Sequence, residues 1–230
     1  MKVAIFTTLT THHNFFLEQI CKFQNPELII YDTKKVLFNF TTYHLFEKKR
    51  QAYEKKFIKK KKFINAFKVY NINSKKVENF LSFYKIDYIF VFGANKIKRN
   101  IISKFKNKIF NFHGGNPEEY RGLDSSLWSI YHNDIKNICT CLHKIEENYD
   151  TGSIIYIKKI NLNKVNRLYK LRLENTLNCI EFYKKLINNL KKNKKIISKK
   201  QSKIGRYYSA MPTALKEICN QKYINLINGR

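Results

Sequence analysis

Glycine and proline, which interrupt helices and strands, are scarce in this sequence. Its 230 residues include only seven glycines and three prolines, and it has a single tryptophan. Four of the glycines, one proline and the tryptophan lie between Phe110 and Ile155, so the tight turns collect in one stretch. An amide, an imidazole and a carboxylate stand among those glycines, at Asn111, His113 and Asp150. We therefore take this stretch as a candidate reaction centre.

Long apolar runs are also missing. No stretch approaches the roughly 20 apolar residues that a membrane-spanning helix needs. The opening segment Met1–Phe6 has too short an apolar run for a signal peptide and no small-residue cleavage site, and it predicts a first strand instead. We expect no association with a membrane.

Cysteines are few, odd in number and scattered, at Cys21, Cys139, Cys141, Cys179 and Cys219. Such a set does not make a disulfide framework and is typical of reduced thiols in a cytoplasmic protein. Cys139 and Cys141 lie two apart on a predicted strand, but a zinc site needs further ligands, and no second pair accompanies them. We expect small core residues here, no metal site and a cytoplasmic location.

Acidic residues are scarce relative to basic ones. The sequence has 17 Asp and Glu and 45 Lys and Arg, which gives a net charge of +28. Such an excess favours nucleic-acid binding. The lysines are spread along the whole chain, however, and the densest runs, Lys59–Lys62 and Lys191–Lys200, fall at predicted helix ends. A solvated face or a helix cap is the default there. We keep nucleic-acid binding as the lesser alternative and expect the charge to favour small anionic ligands.

Apolar segments alternate between strand and helix patterns along the chain. Strands are predicted at Lys2–Thr8, Glu27–Tyr31, Ile86–Phe92, Lys108–Phe112, Ile138–Ile145 and Ser153–Ile160, and helices at Phe15–Phe23, Val77–Tyr84, Ile97–Phe105, Ser125–His132 and Val165–Leu190, with one or two more in Phe38–Phe67. This order predicts an α/β fold, a doubly wound and mostly parallel sheet with a long C-terminal helix. We expect a catalytic domain over residues 1–195 and a C-terminal appendage over 196–230. Tyr207–Pro212 of the appendage either packs across the domain or forms a homodimer contact.

The loop Thr8–Asn14 follows the first predicted strand and contains no glycine. A dinucleotide-binding fold places a glycine-rich turn at this point, so we do not expect a nicotinamide or flavin site. The loop contains hydroxyl groups and two histidines, His12 and His13, and a predicted helix follows it. These side chains and the N-terminus of that helix could bind an anion. The alternative is that both histidines are ordinary polar loop residues.

Asn111 and His113 alternate with apolar neighbours at the end of a predicted parallel strand, so both face the same way at the edge where ligands bind. An Asn amide can donate to an oxyanion, and a histidine can accept or donate a proton near neutral pH. Asp150 lies in a predicted turn between two strands and can hold the imidazole. No serine or cysteine nucleophile is evidently placed. The set suits direct acyl transfer, in which a substrate amine attacks a bound acyl donor.

The combined pattern resembles a known family. Asn111-Phe112-His113-Gly114, the loop Tyr120-Arg121-Gly122 and Asp150-Thr151-Gly152 are similar to the N-x-H, R-G and D-x-G signature of the formyltransferases that use 10-formyltetrahydrofolate. The resemblance covers roughly Lys2–Ile160. It implies that Asn111, His113 and Asp150 are the catalytic residues. It also implies that formyl-folate binds at the segment Phe92, Gly93, Ala94 and at Tyr149, and that His143 is packed behind the site.

Within that family, the sequence from His113 to Asp124 is similar to that of the short enzymes that formylate an amino group on a nucleotide-linked deoxysugar. Those enzymes serve the synthesis of surface polysaccharides such as O-antigen. The resemblance then implies a nucleotide-linked amino sugar as acceptor. Candidate substrate contacts are Thr10, His12, Gly114, Gly115 and Arg121. About seventy residues follow Ile160, fewer than the extra domain of a methionyl-tRNA formyltransferase would need. A glycinamide ribonucleotide formyltransferase, which carries a glycine-rich first loop, remains the alternative within the family.

Overall fold

A seven-stranded sheet forms the centre of the computed structural model, which describes residues 1–59 and 62–229. Its strands are β1 (Val3–Thr7), β2 (Leu28–Asp32), β3 (Ala66–Val69), β4 (Tyr88–Phe92), β5 (Ile109–His113), β7 (Cys139–Lys144) and β8 (Ile154–Lys159). They lie in the order β3-β2-β1-β4-β5-β7-β8, with β1 to β5 parallel and β7 and β8 antiparallel. A smaller sheet pairs β6 (Tyr120–Gly122) with β9 (Arg206–Tyr208) in parallel. The predicted doubly wound, mostly parallel sheet is confirmed.

Helices cover both faces of the large sheet. They are α1 (Thr11–Cys21), α2 (Leu45–Lys55), α3 (Lys75–Phe83), α4 (Arg99–Ile102), α5 (Ser125–Tyr131), α6 (Leu171–Lys191) and α7 (Thr213–Asn228), with 3-10 turns at Ile135–Asn137, Leu162–Lys164 and Leu168–Lys170. The long C-terminal helix predicted over Val165–Leu190 is confirmed as α6 from Leu171 onward, whereas the residues before it form a 3-10 turn, Leu168–Lys170, and coil. None of the helices in the described part of the chain is both long and apolar enough to cross a membrane.

The core lies on both sides of the sheet. α1 and α6 bury one face through side chains such as Phe16 and Tyr183, and α3 and α4 bury the other through Leu81 and Ile101. β1 and β2 are buried along their whole length, as expected for parallel strands covered on two faces. Each large apolar side chain buried in this way contributes about 1.5–3 kcal/mol. This packing holds the carboxyl ends of β1, β4 and β5 side by side.

Two segments differ from the sequence prediction. Phe38–Phe67, expected to be helical, contains α2, but its last two residues begin the strand β3, which lies at the edge of the sheet. A short edge strand lacks a clear apolar alternation, so its pattern is weak. Ile97–Phe105 contains only the four-residue helix α4, because turns follow Ile102. Lys60 and Lys61 of the first lysine run lie outside the described residues, and the run after Lys191 is mostly exposed beyond the end of α6.

The C-terminal segment lies against loops at the carboxyl edge. β9 adds to β6, and the ring of Tyr208 stacks on Trp128 with centroids 4.8 Å apart. α7 packs on α5 in an apolar cluster that includes Leu127 and Tyr223. Tyr207–Pro212 thus packs across its own chain, and a homodimer contact of this segment stays a prediction. The boundary between residues 195 and 196 stays a prediction.

Candidate active site

The end of β5 brings an amide and two imidazoles together. Asn111 and His113 project to the same face of this strand because side chains alternate along it. The antiparallel register with β7 places Asn111 opposite His143. Asn111 Nδ2 lies 3.2 Å from His143 Nε2 and 3.2 Å from Asp150 Oδ1. His113 Nδ1 lies 3.6 Å from Asp150 Oδ2. The three residues that the sequence singled out are therefore neighbours in space, and His143 is a fourth.

Asp150 is held from several directions. Its backbone has a positive φ of 55°, which Asp tolerates better than most residues. The Gly122 N–H donates to Asp150 Oδ2 at 2.8 Å, and Gln201 Nε2 donates to the carbonyls of Asp150 and Gly152 at 2.8 and 2.9 Å. A side chain at Gly152 would overlap the carbonyl of Lys144, so this turn can sit tightly on β7 only with glycine. The carboxylate is thus fixed before any ligand binds.

The backbone contacts assign the ring protons of both histidines. His113 Nε2 lies 2.7 Å from the Tyr120 carbonyl oxygen, which can only accept, so Nε2 carries the hydrogen. His143 Nδ1 donates to the Lys144 carbonyl oxygen at 2.7 Å in the same way. In the neutral form of His113 the lone pair is therefore on Nδ1, the atom nearest Asp150. This nitrogen is placed to take a proton, and the carboxylate is placed to stabilise the imidazolium that results.

Asp150 stays ionised at this site. Burial would raise the pKa of Asp150, but the His113 and His143 rings and the Gly122 N–H lower it well below its ordinary value. The carboxylate is 9 % exposed, so little water screens these interactions. A fixed negative charge therefore stands beside the two rings at neutral pH.

A cleft of about 960 Å³ opens over these residues. Its wall contains all three candidate catalytic residues and most of the predicted donor and acceptor contacts: Phe92, Gly93, Ala94, Tyr149, Thr10, His12 and Gly114. The cleft thus joins the carboxyl ends of β1, β4 and β5, as the parallel topology predicts.

Gly115 and Arg121, two predicted substrate contacts, do not lie on the wall of the cleft. The Cα of Gly115 packs against Ser125, where a side chain would have no space. The Arg121 guanidinium donates to the carbonyls of Gly205 and Tyr149, at 2.6 and 3.1 Å. Both residues contact the protein itself because the β6 loop folds back on the C-terminal segment.

His12 and His13 are buried at the start of α1 and are not solvated loop residues. Burial lowers the pKa of His13 to about 3, and burial and the His13 ring lower that of His12 well below its ordinary value. Both rings are neutral at pH 7 and cannot attract an anion by charge. His13 packs on Phe92 and fills the space over Gly93, where a side chain would overlap it. His12 lines the cleft and bonds Thr10 Oγ1 at 3.0 Å.

The sequence pointed to some of the supporting residues of the site and not to others. His143, which the resemblance placed behind the site, contacts both Asn111 and Asp150. The sequence predicted a strand around His143. It did not predict that Asn111 of the neighbouring strand β5 lies opposite, because the register between strands depends on residues far apart in the chain. Gln201, Arg50 and Arg172 also reach the site or its cleft, from a loop and two helices with no motif.

The described residues include no group of three or more His, Cys, Asp or Glu side chains that could hold a metal ion. Cys139 and Cys141 are buried in β7, and burial raises the pKa of both thiols, that of Cys139 to about 12. Neither is a reactive nucleophile in this state.

The family model described as Formyl transferase matches residues 1–178. The chain belongs to this family. The methionyl-tRNA formyltransferase of Finegoldia magna is 29 % identical over 123 residues, 53 % of this chain and 39 % of that protein. The bifunctional polymyxin resistance protein ArnA of Wigglesworthia glossinidia brevipalpis is 32 % identical over 134 residues, 58 % of this chain and 18 % of that protein. The match thus spans well under half the length of either relative.

Solved formyltransferase structures share the fold. PseJ of Anoxybacillus kamchatkensis, solved with a UDP-linked formamido sugar and tetrahydrofolate, has a TM-score of 0.56 at 18 % identity, covering 91 % of this chain and 86 % of that chain. The N-formyltransferase of Helicobacter canadensis, solved with folinic acid and dTDP-3-aminofucose, has a TM-score of 0.58 at 23 % identity, covering 91 % and 71 %. Glycinamide ribonucleotide transformylase 1 of Symbiobacterium toebii has a TM-score of 0.61 at 15 % identity, covering 90 % and 95 %.

Proposed function

We propose that this protein transfers the formyl group of 10-formyltetrahydrofolate to the amine of a nucleotide-linked amino sugar. The observation that carries the proposal is the cluster of Asn111, His113 and Asp150 on the wall of one cleft, in a chain of the Formyl transferase family. An amide donor, a proton acceptor and a fixed carboxylate suit attack by a neutral amine on a formyl carbon. In this proposal the reaction serves surface polysaccharide synthesis, such as that of O-antigen or lipopolysaccharide, in the cytoplasm.

The reaction begins when the sugar amine attacks the formyl carbon and a carbon–nitrogen bond forms. The formyl oxygen becomes an oxyanion, and Asn111 Nδ2 donates to it. Both present contacts of this amide are 3.2 Å long, so an oxyanion competes well for its hydrogens. His113 Nδ1 takes the proton that the amine loses, and Asp150 stabilises the imidazolium. When the intermediate collapses, the bond to the folate nitrogen breaks and that nitrogen takes the proton.

The donor is assigned to the wall formed by Phe92, Gly93, Ala94 and Tyr149. Gly93 is exposed at the end of β4, and its positive φ of 78° together with the His13 ring packed against it requires a glycine here. The ring of Tyr149 is 44 % exposed beside Asp150, where a flat aromatic ligand can stack on it. The acceptor then approaches from the side of His12 and Gly114.

Formyl transfer can be tested directly with the purified protein. We expect release of tetrahydrofolate, and a formylated product, on mixing 10-formyltetrahydrofolate with UDP- or dTDP-linked amino sugars. Glycinamide ribonucleotide and methionyl-tRNA are the competing acceptors, and formylation of either one alone would refute the sugar assignment. The nucleic-acid alternative predicts retention on random DNA at high salt without any folate turnover.

A further inference from the structure

Two arginines stand on the wall of the cleft away from the catalytic cluster. Arg50 is on α2 and Arg172 is in the first turn of α6, and both line the cleft. Their side chains are only 15 % and 25 % exposed. Nearly buried cations are costly unless other groups compensate their charge. Their partners therefore indicate what the cleft is built to receive.

Each arginine is held by a carboxylate that lies off the cleft wall. Arg172 donates through Nε and Nη2 to both oxygens of the fully buried Glu54, at 2.7 and 2.6 Å. Arg50 donates through Nη2 to Glu47 at 2.9 Å. These contacts fix the two guanidinium groups in place from behind.

The arginines keep hydrogen-bond donors that the described residues do not use. Arg50 Nε is buried and has no hydrogen-bond partner there, and Arg172 Nη1 likewise donates no hydrogen bond to a described residue. A buried donor without a partner costs free energy that a bound acceptor would recover. Guanidinium groups with open N–H positions are suited to phosphate and carboxylate oxygens.

The surroundings favour an anion attached to a larger, partly apolar molecule. Phe46, Leu168 and Leu171 line the same cleft, and the Arg50 guanidinium lies 5.6 Å from the centre of the Phe46 ring. Thr10 and Ser126 add hydroxyl groups to the wall. The positive field reaches the start of α1, where burial, His13 and then Arg172 and Arg50 lower the pKa of His12.

We propose that Arg50 and Arg172 bind the diphosphate of the acceptor. The proposal rests on the proposed function, because it supplies the nucleotide-linked substrate. A folate also carries anions, the carboxylates of its glutamate. The two sources share the same chemistry, and separate binding measurements distinguish them.

The test is calorimetric titration of the protein with two sets of ligands. The first set is UDP, dTDP and inorganic pyrophosphate, and the second is 5-formyltetrahydrofolate. Arg50→Gln removes one cation. The double variant Arg172→Met/Glu54→Met removes the second cation together with its buried partner, so that no carboxylate is left unpaired. Arg167→Gln is the matched control, since Arg167 is exposed on the approach to α6 and does not line the cleft. Circular dichroism and thermal unfolding confirm that each variant is folded.

We expect both cleft variants to bind UDP and dTDP about ten- to a hundredfold more weakly, as loss of a charge-assisted hydrogen bond would produce. Binding of 5-formyltetrahydrofolate should change less than twofold, and Arg167→Gln should behave like the wild type. Arg50→Lys keeps the charge but loses the paired N–H donors of the guanidinium. Its affinity for UDP and dTDP should therefore lie between those of the wild type and Arg50→Gln.

Three outcomes would overturn the proposal: unchanged nucleotide binding in both cleft variants, loss of folate binding instead, or a wild type that binds folate but neither nucleotide nor pyrophosphate. The proposed function fails separately. A protein that binds UDP or dTDP through these arginines, yet transfers no formyl group to any amino sugar, keeps the anion site and refutes the reaction.

Discussion

Asn111 and His143 face each other where the parallel part of the sheet meets its antiparallel edge, with Asn111 Nδ2 3.2 Å from His143 Nε2. Asp150 Oδ1, which can only accept, also lies 3.2 Å from Asn111 Nδ2 and fixes the orientation of the amide. The Asn111 nitrogen is therefore turned towards Asp150 and the cleft. This orientation decides which atom of the amide can meet an oxyanion.

Replacing Asn111 with Ala should lower turnover by about 10²–10³, the usual cost of losing one oxyanion donor. The fold should persist, because the side chain is half-buried at the end of a strand. Single-turnover formylation measures the effect, and thermal unfolding checks the fold. Turnover within threefold of the wild type in this variant would refute the assigned role.

Replacing His143 with Gln should affect turnover rather than substrate binding. Gln can still donate to Asp150 Oδ1, but it cannot also keep the second contact of the ring, to the Lys144 carbonyl, so Asp150 and Asn111 are less well positioned. We expect kcat to fall about tenfold with KM nearly unchanged, because the variant loses an interaction that stabilises the transition state and not the bound substrate. Steady-state kinetics with the acceptor varied provides the measurement. A rise in KM alone would place His143 in substrate binding instead.

Asp150 should remain ionised well into the acid range. Its pKa in the folded protein is lowered below the ordinary value of 3.8, so its contribution to stability is complete above about pH 3.8 and is lost as the pH falls through the lowered pKa. Carbon-13 titration of the carboxyl groups, assigned by comparison with Asp150→Asn, measures this directly. A signal for Asp150 that titrates at or above pH 3.8 would contradict the geometry.

Gln201 should matter to catalysis although it lies far from the signature in sequence. Its amide donates to the carbonyls of Asp150 and Gly152, so Gln201→Ala leaves two backbone acceptors without their partner. We expect a loss of about 1–3 kcal/mol in the free energy of unfolding and a lower kcat. Gln221→Ala is the control, because Gln221 is exposed and its amide donates to the side chain of Glu217. Equal behaviour of the two variants would count against a role for Gln201 in placing Asp150.

Gly152→Ala should destabilise the protein far more than Gly114→Ala. The added carbon at position 152 would overlap the Lys144 carbonyl, whereas at position 114 its nearest contact is Asn175 at 3.7 Å. We expect a loss of more than about 2 kcal/mol for the first variant and a small change for the second. Urea unfolding of both proteins gives the comparison. Similar stabilities would show that the turn can move away from β7.

The candidate site was visible in the sequence to the extent that it depends on local pattern. The alternation of Asn111 and His113 with phenylalanines, and a parallel strand that ends beside glycines, predicted both their common face and their position at the ligand edge. Asp150 was found through its turn signature. Such signals survive because strand periodicity and turn chemistry are properties of neighbouring residues.

What the amino-acid order alone determined is therefore most strands of the sheet, the edge where ligands are expected and the three polar residues of the candidate site. Only the tertiary structure decided that His143 joins them, that Arg121 holds a loop rather than facing the cleft, and that Arg50 and Arg172 meet on its wall. These contacts join residues far apart in the chain. Their geometry depends on register and on helix packing, which no short pattern encodes.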